Sequence, residues 1–285
     1  MKLFYSELLK ISYSKLFKIV LLILFIVQPF FAYLGIKAVL EIGLQATPEN
    51  TAILAEAIPP IEYLGFDTVM LGLMPMIILG AVYGGSEFKN HQLRTTLLAN
   101  SDKKSLYFFK LMTLTILSLV LSFLSIIVTI EVTHVTLGNL GLSVLLSSKV
   151  WYFILFATLA WGSLTILSYF IAFLFRTAIV PLLFLIPQVY NVGEFLSSHF
   201  EWGKVLPVAL GNHLIASSDT RFSPHPFWTL TLLCIWVFIF GVIVYVVIIV
   251  DVTDLFDDIL LLEYFSKIDS RIRWLFSIFS LLTGL

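Results

Sequence analysis

Charge, cysteine and catalytic signatures are all scarce in this sequence. Only 12% of the 285 residues are charged, and a soluble domain of this size carries about twice that fraction. The net charge of −1 gives no electrostatic basis for binding nucleic acid, so no nucleic-acid partner is predicted. Cys234 is the one cysteine, which excludes a disulfide within the chain.

Sequence signatures of an enzyme are missing as well. The chain contains no GxxxxGK[ST] phosphate loop, no HExxH zinc motif and no GxSxG nucleophile elbow. We therefore predict no catalytic residue, no bound cofactor and no ATP site in this chain. Two groups of loop residues do not match a standard zinc or calcium spacing, so no metal site is predicted. They are His199, Glu201, His213, Asp219 and His225 for zinc, and Asp251, Asp254, Asp257 and Asp258 for calcium.

Long apolar runs are what the sequence does contain. Hydrophobic residues make up 59% of the chain, and the mean hydropathy is +1.01. A helix needs about 20 mostly apolar residues to cross a bilayer. The sequence therefore predicts an all-α polytopic membrane protein with a single transmembrane domain over residues 1–285 and six spans. The spans are expected at about 19–35, 64–83, 111–130, 151–175, 178–190 and 227–250, the fifth being short and broken by Pro181 and Pro187.

The distribution of lysine and arginine predicts the orientation. Basic residues concentrate in loops that face the cytoplasm. Thirteen of the 17 fall on one side of the predicted spans, whereas the first loop of the other side is acidic, with Glu41, Glu49, Glu56 and Glu62. Both termini are therefore predicted to be cytoplasmic, in a multi-pass protein of the cell membrane. The thirteen are Lys2, Lys10, Lys15, Lys18, Lys89, Arg94, Lys103, Lys104, Lys110, Arg176, Lys267, Arg271 and Arg273.

Four segments lie outside simple spans. Residues 1–18 are predicted to form an interfacial helix, with Phe4, Leu8 and Ile11 on its apolar face and Lys2, Glu7 and Lys10 on its polar face. Residues 84–105 form a basic cytoplasmic loop that either docks a soluble partner or only sets the topology. Residues 191–226 are an external or re-entrant segment, acting either as a lid or as a packed cap. Residues 251–285 are a cytoplasmic tail that ends in a second interfacial helix.

Polar residues inside the spans are few. Thr115, Ser118, Ser122 and Ser125 share one face of the third span. Small hydroxylated residues allow close helix packing, and the alternative is a mildly polar translocation surface. Gln28, followed by Pro29, and Asp67 are sharper candidates, because polar groups in membranes usually face the interior of the bundle. The candidates for lining a pathway are therefore Gln28, Asp67, Thr115, Ser118, Ser122 and Ser125.

Two stretches carry a resemblance to a known family. The first is residues 6–16, which run into the first span. The second is Tyr83-Gly84-Gly85-Ser86-Glu87-Phe88-Lys89 with Leu93-Arg94-Thr95-Thr96-Leu97-Leu98, followed by Ser101-Asp102-Lys103-Lys104 and the lead into the third span. Together with the six-span count, these stretches resemble the ABC-2 type transporter permease family.

The resemblance implies a division of labour between subunits. This chain would pair with a second permease chain, identical or related, in the lipid bilayer to form the pathway of an exporter. Separate ATPase subunits would bind ATP and Mg²⁺ and dock beneath it. The residues implied to contact the ATPase are Glu87, Phe88, Lys89, Asn90, His91 and Arg94.

The cargo and two other function classes are weighed on the sequence. The apolar character of the chain favours a hydrophobic or amphipathic cargo, such as a peptide, a toxin, an antibiotic or a lipid. The alternative function is an ATP-independent binding or immunity module in the membrane, for which changes of Glu87 and Arg94 would be silent. An intramembrane enzyme ranks last, because no catalytic cluster is visible at membrane depth.

Overall fold

The structure is a computed structural model that describes residues 2–49, 51, 57–89, 103–189, 195–196, 199–216 and 222–254. At residues 2, 103, 201 and 248–254 only the backbone is described. Contacts divide the chain into two units, residues 1–244 and 245–285, and the second is described only over 245–254, the end of the last helix. Throughout the described residues the regular structure is helical and contains no strand, as predicted.

Ten α-helices occur in the described part of the chain. A five-residue π-helical segment joins the second to the third, and short 3₁₀ turns occupy Ile61–Tyr63 and Glu201–Val205. The α-helices are α1 (Lys2–Ser12), α2 (Lys15–Leu22), α3 (Gln28–Ile42), α4 (Phe66–Ser86), α5 (Lys103–Thr136), α6 (Asn139–Leu145), α7 (Ser148–Phe175), α8 (Ile179–Val189), α9 (Pro207–His213) and α10 (Pro226–Asp254).

Five helical stretches within the described residues are long and apolar enough to cross a membrane, so the chain is a multi-pass membrane protein. They are Lys15–Ile42, Ile61–Ser86, Lys104–Thr136, Ser148–Phe175 and Pro226–Val247. The fifth predicted span is instead α8, a helix of 11 residues. At 1.5 Å per residue it covers about half of a hydrocarbon core of about 30 Å. The sixth crossing and the side of the termini stay predictions.

α7 lies at the centre of the bundle. Of its most apolar stretch 78% is buried, compared with 17% for α10. Its ends are defined locally, because Ser147 Oγ accepts a hydrogen bond from the backbone N–H of Val150 at 3.4 Å. At the other end Arg176 adopts the left-handed conformation (φ 55°), and the N–H of Thr177 donates to the carbonyl of Ala172 at 3.1 Å. This geometry terminates α7 and turns the chain into α8.

Glycines on α4 allow α4 and α7 to run parallel at close range. A Cβ on Gly80 would collide with the carbonyl oxygen of Thr165, and one on Gly84 would lie 2.6 Å from the carbonyl oxygen of Tyr169. Ser168 on α7 also donates a hydrogen bond of 2.8 Å to the carbonyl of Ile77. Small residues and interhelical hydrogen bonds are the two main devices for helix packing in membranes.

Residues 206–216 are buried in the bundle, apart from His213, which is half-buried. α9 packs on α7 and α8, and a Cβ on Gly211 would lie 2.6 Å from the side chain of Leu164, near the middle of α7. The indole N–H of Trp236 donates to the carbonyl of Val205 at 2.9 Å. Val205 ends the 3₁₀ turn before α9, and its carbonyl is thus bonded by a protein group. The choice between a lid and a packed cap for residues 191–226 stays a prediction.

The α4–α7 contact predicts a difference between two glycines. Gly80→Ala places a methyl group against the Thr165 backbone and is expected to destabilise the protein by about 1–3 kcal/mol. Gly35→Ala is the matched control, because its Cβ meets nothing within 4 Å and alanine favours helix. Thermal unfolding in detergent measures both. Equal melting temperatures for the two variants would contradict the close packing.

Candidate functional site

Five titratable side chains meet where the basic loop begins. Glu7 and Lys10 come from α1, Tyr83 from the last turns of α4, Glu87 from the residue that caps α4, and Lys110 from α5. We call this group the Glu87 cluster. Its members are separated by up to 103 positions in the sequence, so only the fold brings them together.

Glu87 is the centre of the cluster and is fully buried. Lys10 Nζ donates to its Oε1 atom at 2.6 Å, and Lys110 Nζ donates to its Oε2 atom. Each carboxylate oxygen therefore has its own ammonium donor. Burial without partners would make an ionised carboxylate very costly, and hydrogen-bonded cations on both oxygens offset that cost.

The other carboxylate, Glu7, closes the network. Lys110 Nζ lies 3.4 Å from Glu7 Oε1, and the hydroxyl of Tyr83 donates to Glu7 Oε2 at 2.7 Å. Lys110 thus lies between two carboxylates, as Glu87 lies between two ammonium groups. Two negative and two positive charges balance, so the cluster is neutral overall.

The cluster specifies how α1 is rotated about its axis. The sequence predicts Glu7 and Lys10 on the polar face of an interfacial helix. In the structure Glu7 is buried and Lys10 is half-buried against Glu87, whereas Tyr5 is exposed. The reason is that the partners of both side chains, Lys110 and Glu87, lie in the bundle. The predicted apolar residue Ile11 does face inward, because it is buried.

Electrostatics keep Glu87 ionised. Burial alone would raise the pKa of its carboxyl group, but the adjacent Lys110 and Lys10 ammonium groups outweigh burial and hold the pKa below its ordinary value. Glu87 therefore carries its negative charge at neutral pH.

Aromatic contacts fix the start of the loop from a second direction. The ring of Phe88 packs edge-on against Phe173 of α7, with 5.0 Å between the centroids. The guanidinium of Arg176 lies 5.6 Å from the centre of the same ring. Lys89, the next residue, is exposed. Of the residues predicted to contact a partner, Glu87 thus faces inward, Phe88 packs on the end of α7 and Lys89 faces outward. Asn90, His91 and Arg94 lie outside the described residues.

The six predicted pathway residues differ in exposure: four are buried, one is half-buried and one is exposed. Gln28, Ser118, Ser122 and Ser125 are fully buried within the chain, and Thr115 is half-buried. The hydroxyls of Thr115, Ser118 and Ser122 donate to carbonyls one turn earlier on α5, at 2.7–3.1 Å. Asp67 is exposed in the first turn of α4, where the positive end of the helix dipole favours a carboxylate.

Sequence reasoning missed the roles of Glu7, Tyr83 and Lys110. A usable signal existed for Lys110, because a lysine between Phe109 and Leu111 at the start of an apolar helix requires a partner. The identity of that partner carries no sequence signal, since Glu7 and Glu87 are 103 and 23 positions away. Within the described part of the chain, no three His, Cys, Asp or Glu side chains are grouped so as to hold a metal ion.

Comparison with known proteins assigns no family. Searches against protein-family models, curated proteins and solved structures find no match for this chain.

The charge balance of the cluster predicts non-additive substitutions. Glu87→Gln leaves one positive charge in excess and Lys110→Met leaves one negative charge in excess, so each is expected to destabilise the protein by about 3–5 kcal/mol. The double variant restores neutrality and should cost less than the sum of the two. Thermal unfolding of the four proteins measures this. Strict additivity would show that Glu87 and Lys110 do not interact.

The lowered pKa of Glu87 predicts a pH dependence. Ionised Glu87 stabilises the fold at every pH above the carboxyl pKa of the unfolded chain, about 4.3. That stabilisation is lost as the pH falls from this value through the lower pKa of the folded chain. The difference in melting temperature between the wild type and Glu87→Gln should therefore be constant near neutrality and shrink below about pH 4. A difference that grows on acidification would contradict the ion pairing.

Proposed function

We propose that this chain is the membrane-spanning subunit of an ATP-driven exporter, and that the loop beginning at Glu87 couples it to a separate ATPase. The observation that carries the proposal is the anchoring of this loop. Its first residue is ion-paired to α1 and α5, and its second packs on the end of α7. A push on the loop would therefore reach three helices at once.

Coupling of this kind needs only a stiff element that a partner displaces. The cluster supplies stiffness, because separating Glu87 from Lys10 or Lys110 would leave a charge buried and unpaired. The loop itself supplies contact groups, with Lys89 exposed at its start and the basic residue Arg94 further along the sequence. We assign docking to Lys89, Asn90, His91 and Arg94, and transmission to Glu87 and Phe88.

The pathway is proposed to lie between two permease chains. The hydroxyl-bearing face of α5 is closed within one subunit, because Ser118, Ser122 and Ser125 are fully buried and Ser125 donates a hydrogen bond to the Leu24 carbonyl of the first span at 3.0 Å. A passage along this face of a single subunit would have to separate α5 from the helices that bury it. The apolar composition of the chain supports a hydrophobic or amphipathic cargo. Uptake by vesicles of small hydrophilic solutes alone would contradict that choice of cargo.

Purification from native membranes in mild detergent tests the coupling proposal. We expect an ATPase to co-purify in stoichiometric amount, and to be lost from Lys89→Glu and Arg94→Ala because both remove a basic contact. Lys37→Glu is the matched control, an equal change of charge at an exposed lysine of α3. Glu87→Gln should retain the ATPase but lose transport, since Glu87 is buried and transmits movement rather than docking.

The outcomes separate the two function classes. A chain that purifies alone, even after crosslinking in the membrane, would indicate the ATP-independent module instead. An ATPase that stays bound to Lys89→Glu and Arg94→Ala would place the docking surface elsewhere.

A further inference from the structure

The exposed side of the first span carries a regular pattern of basic and apolar residues. Between two exposed lysines, an apolar or aromatic side chain is exposed at every third or fourth position. Residues three and four positions apart are neighbours on one face of a helix, and we call this face the exposed stripe. The exposed stripe consists of Lys18, Leu22, Ile26, Phe30, Tyr33 and Lys37.

The length of the exposed stripe matches a lipid bilayer. Lys18 and Lys37 are 19 positions apart, which corresponds to about 28 Å at 1.5 Å per residue. The hydrocarbon core of a bilayer is about 30 Å thick. At the far end Lys37 Nζ lies 4.7 Å from the centre of the Tyr33 ring, and aromatic rings favour the boundary between hydrocarbon and headgroups. Lipid therefore fits this face, with one lysine at each headgroup layer.

The two ends of the exposed stripe differ in charge balance. At the far end Lys37 is followed one helical turn later by the exposed carboxylate of Glu41, which offsets its charge. At the near end Lys15 lies one turn before Lys18, and both side chains are exposed. Neither ammonium group forms an ion pair or a hydrogen bond with the described residues. The near end thus carries two positive charges without a counter-charge.

The Glu87 cluster explains why these charges are not balanced by the protein. Its two carboxylates, Glu7 and Glu87, are both buried and are held by the ammonium groups of Lys10 and Lys110. Their negative charge is therefore used inside the bundle. A counter-charge for the surface at the start of α2 has to come from outside the described residues.

We propose that Lys15 and Lys18 bind the phosphate of an anionic phospholipid, beside the ring of Tyr13. Tyr13 is 77% exposed at the turn between α1 and α2, where an aromatic ring favours the headgroup layer. Ile19 and Leu22 are exposed next to the lysines and meet the acyl chains. Each lysine at an anionic bilayer surface strengthens binding about fivefold, so two lysines select anionic over zwitterionic lipid. The inference is independent of the proposed exporter function.

Photocrosslinking at the α1–α2 turn tests the proposal. p-Benzoylphenylalanine in place of Tyr13 keeps an aromatic ring at this position and reacts with C–H bonds close to it. The full chain is reconstituted in nanodiscs that contain equal amounts of phosphatidylglycerol and phosphatidylcholine, and mass spectrometry identifies the crosslinked lipid. We expect phosphatidylglycerol adducts to exceed phosphatidylcholine adducts by about fivefold or more.

Substitution of the lysines assigns the preference to them. Lys15→Gln combined with Lys18→Gln removes both charges and should bring the two lipids to equal yields. Lys37→Gln is the matched control, because it removes one exposed lysine at the far end of the same face and should leave the ratio unchanged. Salt near 1 M, where the Debye length is about 3 Å, should also lower the preference. Melting temperatures should stay the same, since these side chains lie on the surface.

Three results would overturn the proposal. The first is an equal yield of the two lipids when both lysines are present. The second is a preference for phosphatidylglycerol that survives the double substitution, which would assign it to other basic residues. The third is a crosslink to protein instead of lipid, because this face would then meet another chain.

Discussion

The exclusion of water from Glu87 constrains how α1 and α5 pack around the end of α4. A carboxylate that is cut off from solvent must find its counter-charges in the chain itself. It finds them on α1 and α5, and the excess positive charge of Lys110 in turn requires Glu7. The position of the amphipathic first helix is therefore set by charge pairing as well as by burial of Ile11. Hydrophobic burial alone would leave the rotation of that helix about its axis unspecified.

Unpaired backbone groups impose a similar constraint deeper in the bundle. Inside a membrane each carbonyl must be bonded by protein or by trapped water. Pro29 removes one donor, the π-helical segment shifts the register, and Ser125 supplies the replacement. The polar residues of α5 that suggest a passage are thus largely occupied by the backbone of α5 itself and, at Ser125, of the first span. Around Glu87 and around Leu24 alike, a buried polar side chain supplies the partner that a neighbouring charge or carbonyl would otherwise lack.

Hydropathy predicts the helical class and five of the long helices, because a run of about 20 apolar residues favours a membrane-spanning helix whatever the rest of the chain does. It also predicts a span at 178–190, where the described helix α8 runs for 11 residues and begins just after the left-handed turn at Arg176. The placement of Glu7, Lys10 and Glu87 could not be predicted, since alternation of charged and apolar residues does not reveal which buried partner lies opposite. The packing of Gly211 on Leu164 and the hydrogen bond from Trp236 to Val205 were equally out of reach, because the sequence of residues 191–226 is compatible with both a lid and a packed cap.

The glycine contacts between α4 and α7 have a mechanical consequence. At Gly80 and Gly84 the backbone of α4 lies directly against the backbone of α7, and at Gly85 it lies against Ala178, which precedes α8, so no bulky side chain separates the chain segments at these three points. We therefore expect α4 and α7 to move together as one rigid unit, with α8 beginning at one end of it. Any bending must then occur in other helices of the bundle. The non-α turn of the first span, where one hydrogen-bond register gives way to another, is where the helix bends at the lowest cost.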